Sequence, residues 1–135
     1  MTQEQKDLLL KDLCGRLPYG IEVEYDNCAC EVLSIDKDDK ELTIWKNFGY
    51  KHEVKLEDCK PYLLPLSSIT IEQEKELSKL GVSYGEYALH DDIRGLGIMI
   101  DEAYIFFEFC YKHHIDFLDL IKKGLAIDAT GLNIY

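Results

Sequence analysis

No stretch of this chain is apolar for the ~18 residues that a membrane-spanning helix needs, so no span is expected. Proline and glycine are sparse, with 3 and 9 in 135 residues. That excludes collagen-like and Pro/Gly-rich disordered classes. Basic side chains are few: 15 Lys and Arg stand against 26 Asp and Glu, a net charge of -11. Such a surface repels phosphate backbones, so direct nucleic-acid binding is a poor default. It favours solubility and basic partners, and its plainest form is a solvated acidic surface. The start, MTQEQKDLLL, lacks a basic segment ahead of an apolar core, so no secretory signal is expected. P-loop and GxGxxG patterns are missing, and Gly95 with Gly97 does not make a phosphate cradle. There is no internal repeat and no low-complexity tract.

What is present is a globular composition, 47% hydrophobic, in a length that suits one domain with a real core. Five cysteines, Cys14, Cys28, Cys30, Cys59 and Cys110, make an odd number. Without a signal they read as reduced, buried thiols of a cytoplasmic protein.

Thr2 and Gln5 have capping-box spacing. Leu9, Leu10, Leu13 and Cys14 follow at helical spacing, and Gly15 stands where a C′ glycine would. This predicts an amino-terminal helix over 3–14. Past Pro18 and Gly20 the period becomes two. Ile21, Val23 and Tyr25 alternate with Glu22 and Glu24, the pattern of a strand with one wet face. A second strand is expected over 28–35, a polar turn at "DKDDKE", a third strand from Leu42 and Ile44, and a fourth around Val54 and Leu56. "PYLLPL", 61–66, can form a short strand, which its prolines confine to an edge or an end. Short strands and tight turns over residues 20–66 predict a small antiparallel sheet or SH3-like barrel, with a meander covered by helices as the alternative.

A helical part is expected over 70–127. Thr70 and Gln73 repeat the capping-box spacing, and Gly81 can end that helix. "DEAYIFFEFCYKHH" from Asp101 is apolar enough to be a buried helix. Asp116 is placed to cap "FLDLIKK", which Gly124 closes behind Lys122 and Lys123. The fold class is therefore α+β, one domain over 1–135. Residues 82–100 read as a loop with a short strand or turn.

"FCYKHHID", 109–116, holds the densest metal-type chemistry. On a helix Cys110 and His114 share a face, but that face also carries Ala103, Phe106 and Phe107 and points to the core. A structural zinc needs four ligands. Cys28 and Cys30 share a strand face, so Cys28, Cys30, Cys59 and His114 form an outside alternative, while buried thiols and hydrogen-bonded histidines are the expectation. His90, Asp91 and Asp92, followed by Arg94, could do acid–base work, but neighbours in a loop are more often turn and cap groups. An enzyme would have to use these three or a metal at His113 and His114. Trp45 is the more informative residue. Strict alternation turns Thr43 and Trp45 away from the face of Ile44 and clusters Trp45, Phe48 and Tyr50 at one end of the sheet. They are either covered by the carboxy-terminal helices or exposed as a patch for a protein partner.

Three stretches, "LLLKDLCGRLPYGIEV", "DCKPYLLPLSSIT" before a Glu-rich helix, and "HHIDFLDLIKKGLAID", carry a family likeness. Together they resemble small uncharacterised proteins of Bacteroides-type genomes, often encoded in prophage-like or mobile regions. The resemblance implies a setting, a bacterial or phage-encoded protein of the cytoplasm, and brings no activity, substrate or site residue. The resulting expectation is a non-enzymatic protein-interaction or accessory module of phage or mobile-element origin, without a cofactor. Its candidate binding residues are Trp45, Phe48 and Tyr50. The alternative is an acidic nucleic-acid mimic that inhibits a host protein, which requires carboxylates in rows on one face.

Overall fold

The computed structural model describes residues 1–46, 49–81 and 100–135, the side chains of residues 100–102 excepted. Helix α1 spans Gln3–Arg16. Its start is the expected capping box: Gln5 N–H donates to the Thr2 hydroxyl at 3.2 Å, and Thr2 N–H donates to Gln5 Oε1 at 2.9 Å. Its end differs from expectation. Gly15 is not the stop but an interior residue, and a methyl group there would run into the Tyr111 ring. The missing side chain serves helix packing. The helix ends where Pro18 enters a 3-10 turn, Leu17–Tyr19, followed by Gly20 at φ +77°.

Strands β1 (Glu22–Tyr25), β2 (Cys28–Asp36), β3 (Glu41–Lys46) and β4 (Tyr50–Lys55) form an antiparallel meander. The β1–β2 turn is Asp26–Asn27, both left-handed at φ 52° and 59°, as the twist of a two-residue hairpin demands. The next turn is held by Asp36, whose carboxylate accepts from the amides of Asp38 and Asp39 at 2.9 and 3.0 Å. Leu56 is buried, but it begins a 3-10 turn, Leu56–Asp58, rather than ending β4.

Strand β5 (Lys60–Pro65) corrects a second expectation. Its prolines stand second and last in the strand, as an end position allows. Yet it is not an edge. It pairs antiparallel with β1 and parallel with two short strands, β6 (Ile115–Asp116) and β7 (Ile127–Asp128). The sheet is mixed, runs β4-β3-β2-β1-β5-β6, and does not close into a barrel. The meander alternative is the one observed.

Helix α2 is Ile71–Lys79, with the Thr70–Gln73 capping box formed and Gly81 at φ +88° past its end, both as expected. Helix α3 is Ile100–Lys112. Phe106, Phe109 and Cys110 are buried, while Tyr104 is exposed. The helix stops before the histidines, and His114 is left-handed at φ 60°. The predicted helix "FLDLIKK" does not form: residues 117–126 are turns and bends. Among the described residues, the expected helical part over 70–127 is thus two helices, two short strands and a turn region.

Two apolar clusters result. In one, Leu9 and Leu13 of α1 lie on Val23, Cys30, Val32, Leu42, Ile44, Val54 and Leu63 of the sheet, joined by Leu120 and Leu125. In the other, Leu77 of α2 meets Phe106, Phe109 and Cys110 of α3, with Ile115 and Phe117. Among the described residues, α1 covers the sheet face that carries Val23, Leu42 and Ile44, and on the opposite face Leu33 and Trp45 are exposed. No helix among the described residues is long and apolar enough to cross a membrane.

Candidate partner-binding surface

The alternation in β3 sets the surface. Leu42 and Ile44 are fully buried, and Trp45 is 39% exposed. The register places Trp45 between Glu31 of β2 and Lys51 of β4, so an indole lies between opposite charges on the outer face. The ladder of β2 and β3 slips between Val32 and Ser34, making Leu33 the extra residue of a β-bulge. Leu33 is 36% exposed. Bulges re-aim side chains, and here one adds an exposed leucine on the strand beside Trp45.

The two candidate aromatics among the described residues, Trp45 and Tyr50, do not share a face. Tyr50 is 70% exposed. It stands opposite Lys46, two residues from Ile44, so it lies on the sheet face opposite to Trp45. Phe48 lies outside the described residues. Trp45 and Tyr50 share an end of the sheet but not a face, and among the described residues both are exposed. On the Tyr50 face, Lys46 Nζ lies 2.5 Å from an Asp26 carboxylate oxygen and 5.5 Å from the Tyr25 ring centre. The Lys46 hydrogen bond holds the Asp26 carboxyl below its usual range.

The other candidates are dispersed. Cys30 and Cys59 are buried in the sheet core, with Cys28 packed against it, and all five cysteines are free. Burial pushes the Cys59 thiol up to about 12, which keeps it protonated. Among the described residues, no three His, Cys, Asp or Glu side chains are placed to hold a metal, and Cys28, Cys30, Cys59 and His114 are not brought together. His90, Asp91, Asp92 and Arg94 lie outside the described residues. The two histidines separate. His113 Nε2 lies 2.9 Å from Glu76 Oε2 and its ring packs on Phe109. Burial pushes Glu76 up, but hydrogen bonds from Lys112 and His113 outweigh it and leave the carboxyl below its ordinary value.

His114 stacks on Tyr135 with ring centres 3.5 Å apart and planes 4° off parallel. Tyr135 is a latch that no sequence pattern announces. Its hydroxyl donates to the Tyr62 carbonyl at 2.8 Å and accepts from Glu22 N–H at 3.1 Å. In the β1–β5 register, Glu22 and Tyr62 would be the next pair after Val23 and Pro61. The phenol fills the place where the ladder opens.

The same stack gives His114 a pH signature. Burial, reinforced by the charges of Arg16 and His113, lowers its pKa to about 4. The unfolded imidazole titrates near 6.5, so between pH ~6.5 and 4 the unfolded chain binds the extra proton. Stability is therefore lost as pH falls through that window. After discounting for partial exposure, the contribution is on the order of 1–2 kcal/mol. In His114→Asn, which tolerates the left-handed backbone, urea midpoints should vary less between pH 6.5 and 4 than in wild type. An unchanged slope would assign the acid sensitivity elsewhere.

Comparison with family models, with curated proteins and with solved structures finds no match to this chain.

Proposed function

We propose that this chain is a non-enzymatic interaction module, and that it binds a protein partner through the outer sheet face around Trp45. The observation that carries the reading is an indole 39% exposed, flanked by Glu31 and Lys51, on the sheet face opposite to the one α1 covers. Tryptophan on an accessible sheet is a recurrent anchor of protein interfaces. A setting in phage or mobile-element biology accords with the sequence resemblance. The acidic-mimic reading draws less support. It needs rows of carboxylates; the sheet does set Glu22 opposite Glu31 and Asp36 opposite Glu41, but lysines interrupt the rows, Lys55 opposite Glu41 and Lys60 opposite Glu24.

Trp45→Ala removes an outer-face side chain, so the variant should melt within a few degrees of wild type. Affinity capture from host lysate with both proteins, followed by mass spectrometry, should recover a partner with wild type that the folded variant loses. Equal recovery by both would move the interface away from Trp45. A nuclease or DNA-binding protein held equally by both would favour the acidic mimic.

A further inference from the structure

Strand β4 is outermost at one edge of the sheet, and among the described residues it pairs with β3 alone. Its backbone polarity follows from one bond. Leu56 N–H donates to the Lys40 carbonyl at 3.0 Å, and these residues continue the register that sets Glu41 opposite Lys55. In an antiparallel ladder, hydrogen-bonded pairs alternate with non-bonded ones. Counting by twos, Val54, His52 and Tyr50 direct their backbone groups to β3. Lys51, Glu53 and Lys55 direct theirs outward, to the open edge.

An open edge is commonly guarded by charge, lysine above all. A guard of one sign repels a second copy. The sequence Lys51-His52-Glu53 does the reverse, because it is complementary to itself when read antiparallel. We propose that two copies of this chain join edge to edge along β4, antiparallel, about a two-fold axis at His52. In that register Lys51 faces Glu53 of the second copy and Glu53 faces its Lys51. Both pairs are hydrogen-bonded backbone pairs with side chains on the Trp45 face. On the other face Tyr50 lies opposite Val54 of the second copy, and the two His52 meet at the axis. The contact is isologous, as a closed dimer requires. It would cover Tyr50, 70% exposed in the single chain, and continue the sheet across both copies. The two Trp45 would then stand on one continuous outer face.

Contact along one short strand is at the small end of specific interfaces, so association is weak and concentration-dependent. The charge of -11 on each copy opposes it. Measurement therefore belongs near 0.15 M salt, where charges beyond about 8 Å are screened. Sedimentation equilibrium of the whole chain should show a 15.6 kDa species giving way to its dimer as concentration rises. Lys51→Glu and Glu53→Lys each turn both cross-axis pairs into like-charge pairs, and each should raise the dissociation constant about tenfold or more. The K51E/E53K double variant restores complementarity and should dimerise as wild type does. An equimolar mixture of the two single variants should form a heterodimer. Glu53→Pro removes an outward N–H and no bond to β3, so it should leave a folded monomer. Circular dichroism melts establish that each variant folds. A wild type that stays monomeric up to its solubility limit would overturn the proposal. So would a dimer indifferent to Glu53→Pro, or a folded double variant that fails to reassociate.

Discussion

Arg16→Met is expected to lower stability at pH 7 by about 3–5 kcal/mol, the cost of breaking a buried ion pair. Arg16 and Asp12 are both fully buried. The guanidinium grips the carboxylate with two bonds, Nε to Oδ2 at 2.7 Å and Nη2 to Oδ1 at 2.9 Å. Two further donors go to backbone carbonyls: Nη2 to Ile115 at 2.8 Å and Nη1 to Cys110 at 3.3 Å. The Cys110 carbonyl belongs to the last turn of α3, whose carbonyls have no helical partner. Arg16 thus ties α1 to the end of α3 and to β6, between the rings of Tyr111 and Phe117. Methionine has similar bulk but leaves a buried carboxylate and two carbonyls without their donor. Burial already raises the Asp12 pKa against the pull of Arg16. Without the cation it rises further, so the deficit should shrink as pH is lowered and Asp12 takes a proton. Asp12→Leu combined with Arg16→Met removes the stranded charge and should cost less than Arg16→Met alone. Urea denaturation of the three proteins at pH 7 and pH 5 measures this. A loss below about 1 kcal/mol for Arg16→Met would mean that water reaches the pair.

How much of this was legible in the sequence depends on how local the cause is. Both capping boxes are local, and Thr2, Gln5, Thr70 and Gln73 do what their spacing says. The alternation of Ile21 and Val23, and of Leu42 and Ile44, reports which face is buried. That is why the orientation of Trp45 could be read before its surroundings were known. Apart from the missing helix after Asp116, the failures are long-range. Gly15 has the look of a helix stop, but its reason is Tyr111, ninety-six positions away. The prolines of β5 suggest an edge because nothing local announces β6 and β7, which are two residues each. Arg16 could have been suspected from Asp12 four residues before it. What marks the pair as buried is the carbonyls of Cys110 and Ile115, which no periodicity reveals. Tyr50 and Trp45 are close in sequence, and the register, not their separation, puts them on opposite faces.

Asp116→Ala should be comparably severe, about 3–5 kcal/mol, and it tests why the expected helix after Asp116 is absent. A helix N-cap accepts from the second or third residue beyond it. Asp116 instead accepts from Leu118 at 3.3 Å and Leu120 at 2.9 Å on Oδ1, and from Ile121 at 2.9 Å on Oδ2. It reaches residues two, four and five ahead, which a regular helix would not bring to one carboxylate. Asp119 is left-handed at φ 57°, so the chain folds back where a helix would run on. The Leu120 carbonyl then accepts from Leu125 and Ala126 at 2.8 and 3.2 Å. This irregular path places Leu120 and Leu125 in the sheet core, and from there the chain enters β7 beside β5. Asp116 is itself only 5% exposed, so alanine strands three amides near the core, and losses of charge-assisted bonds to buried donors are the costly kind. Asn keeps one acceptor and turns an amide donor towards one of the backbone N–H groups, so the order of stability should be Asp, Asn, Ala. Hydrogen exchange separates this mechanism from a general loss of packing. In Asp116→Ala the amides of Leu120 and Ile121 should lose protection well before those of β2 and β3. Uniform loss across the sheet would instead make Asp116 a core residue like any other. A variant as stable as wild type would show that the Leu120 and Leu125 contacts hold the turn by themselves.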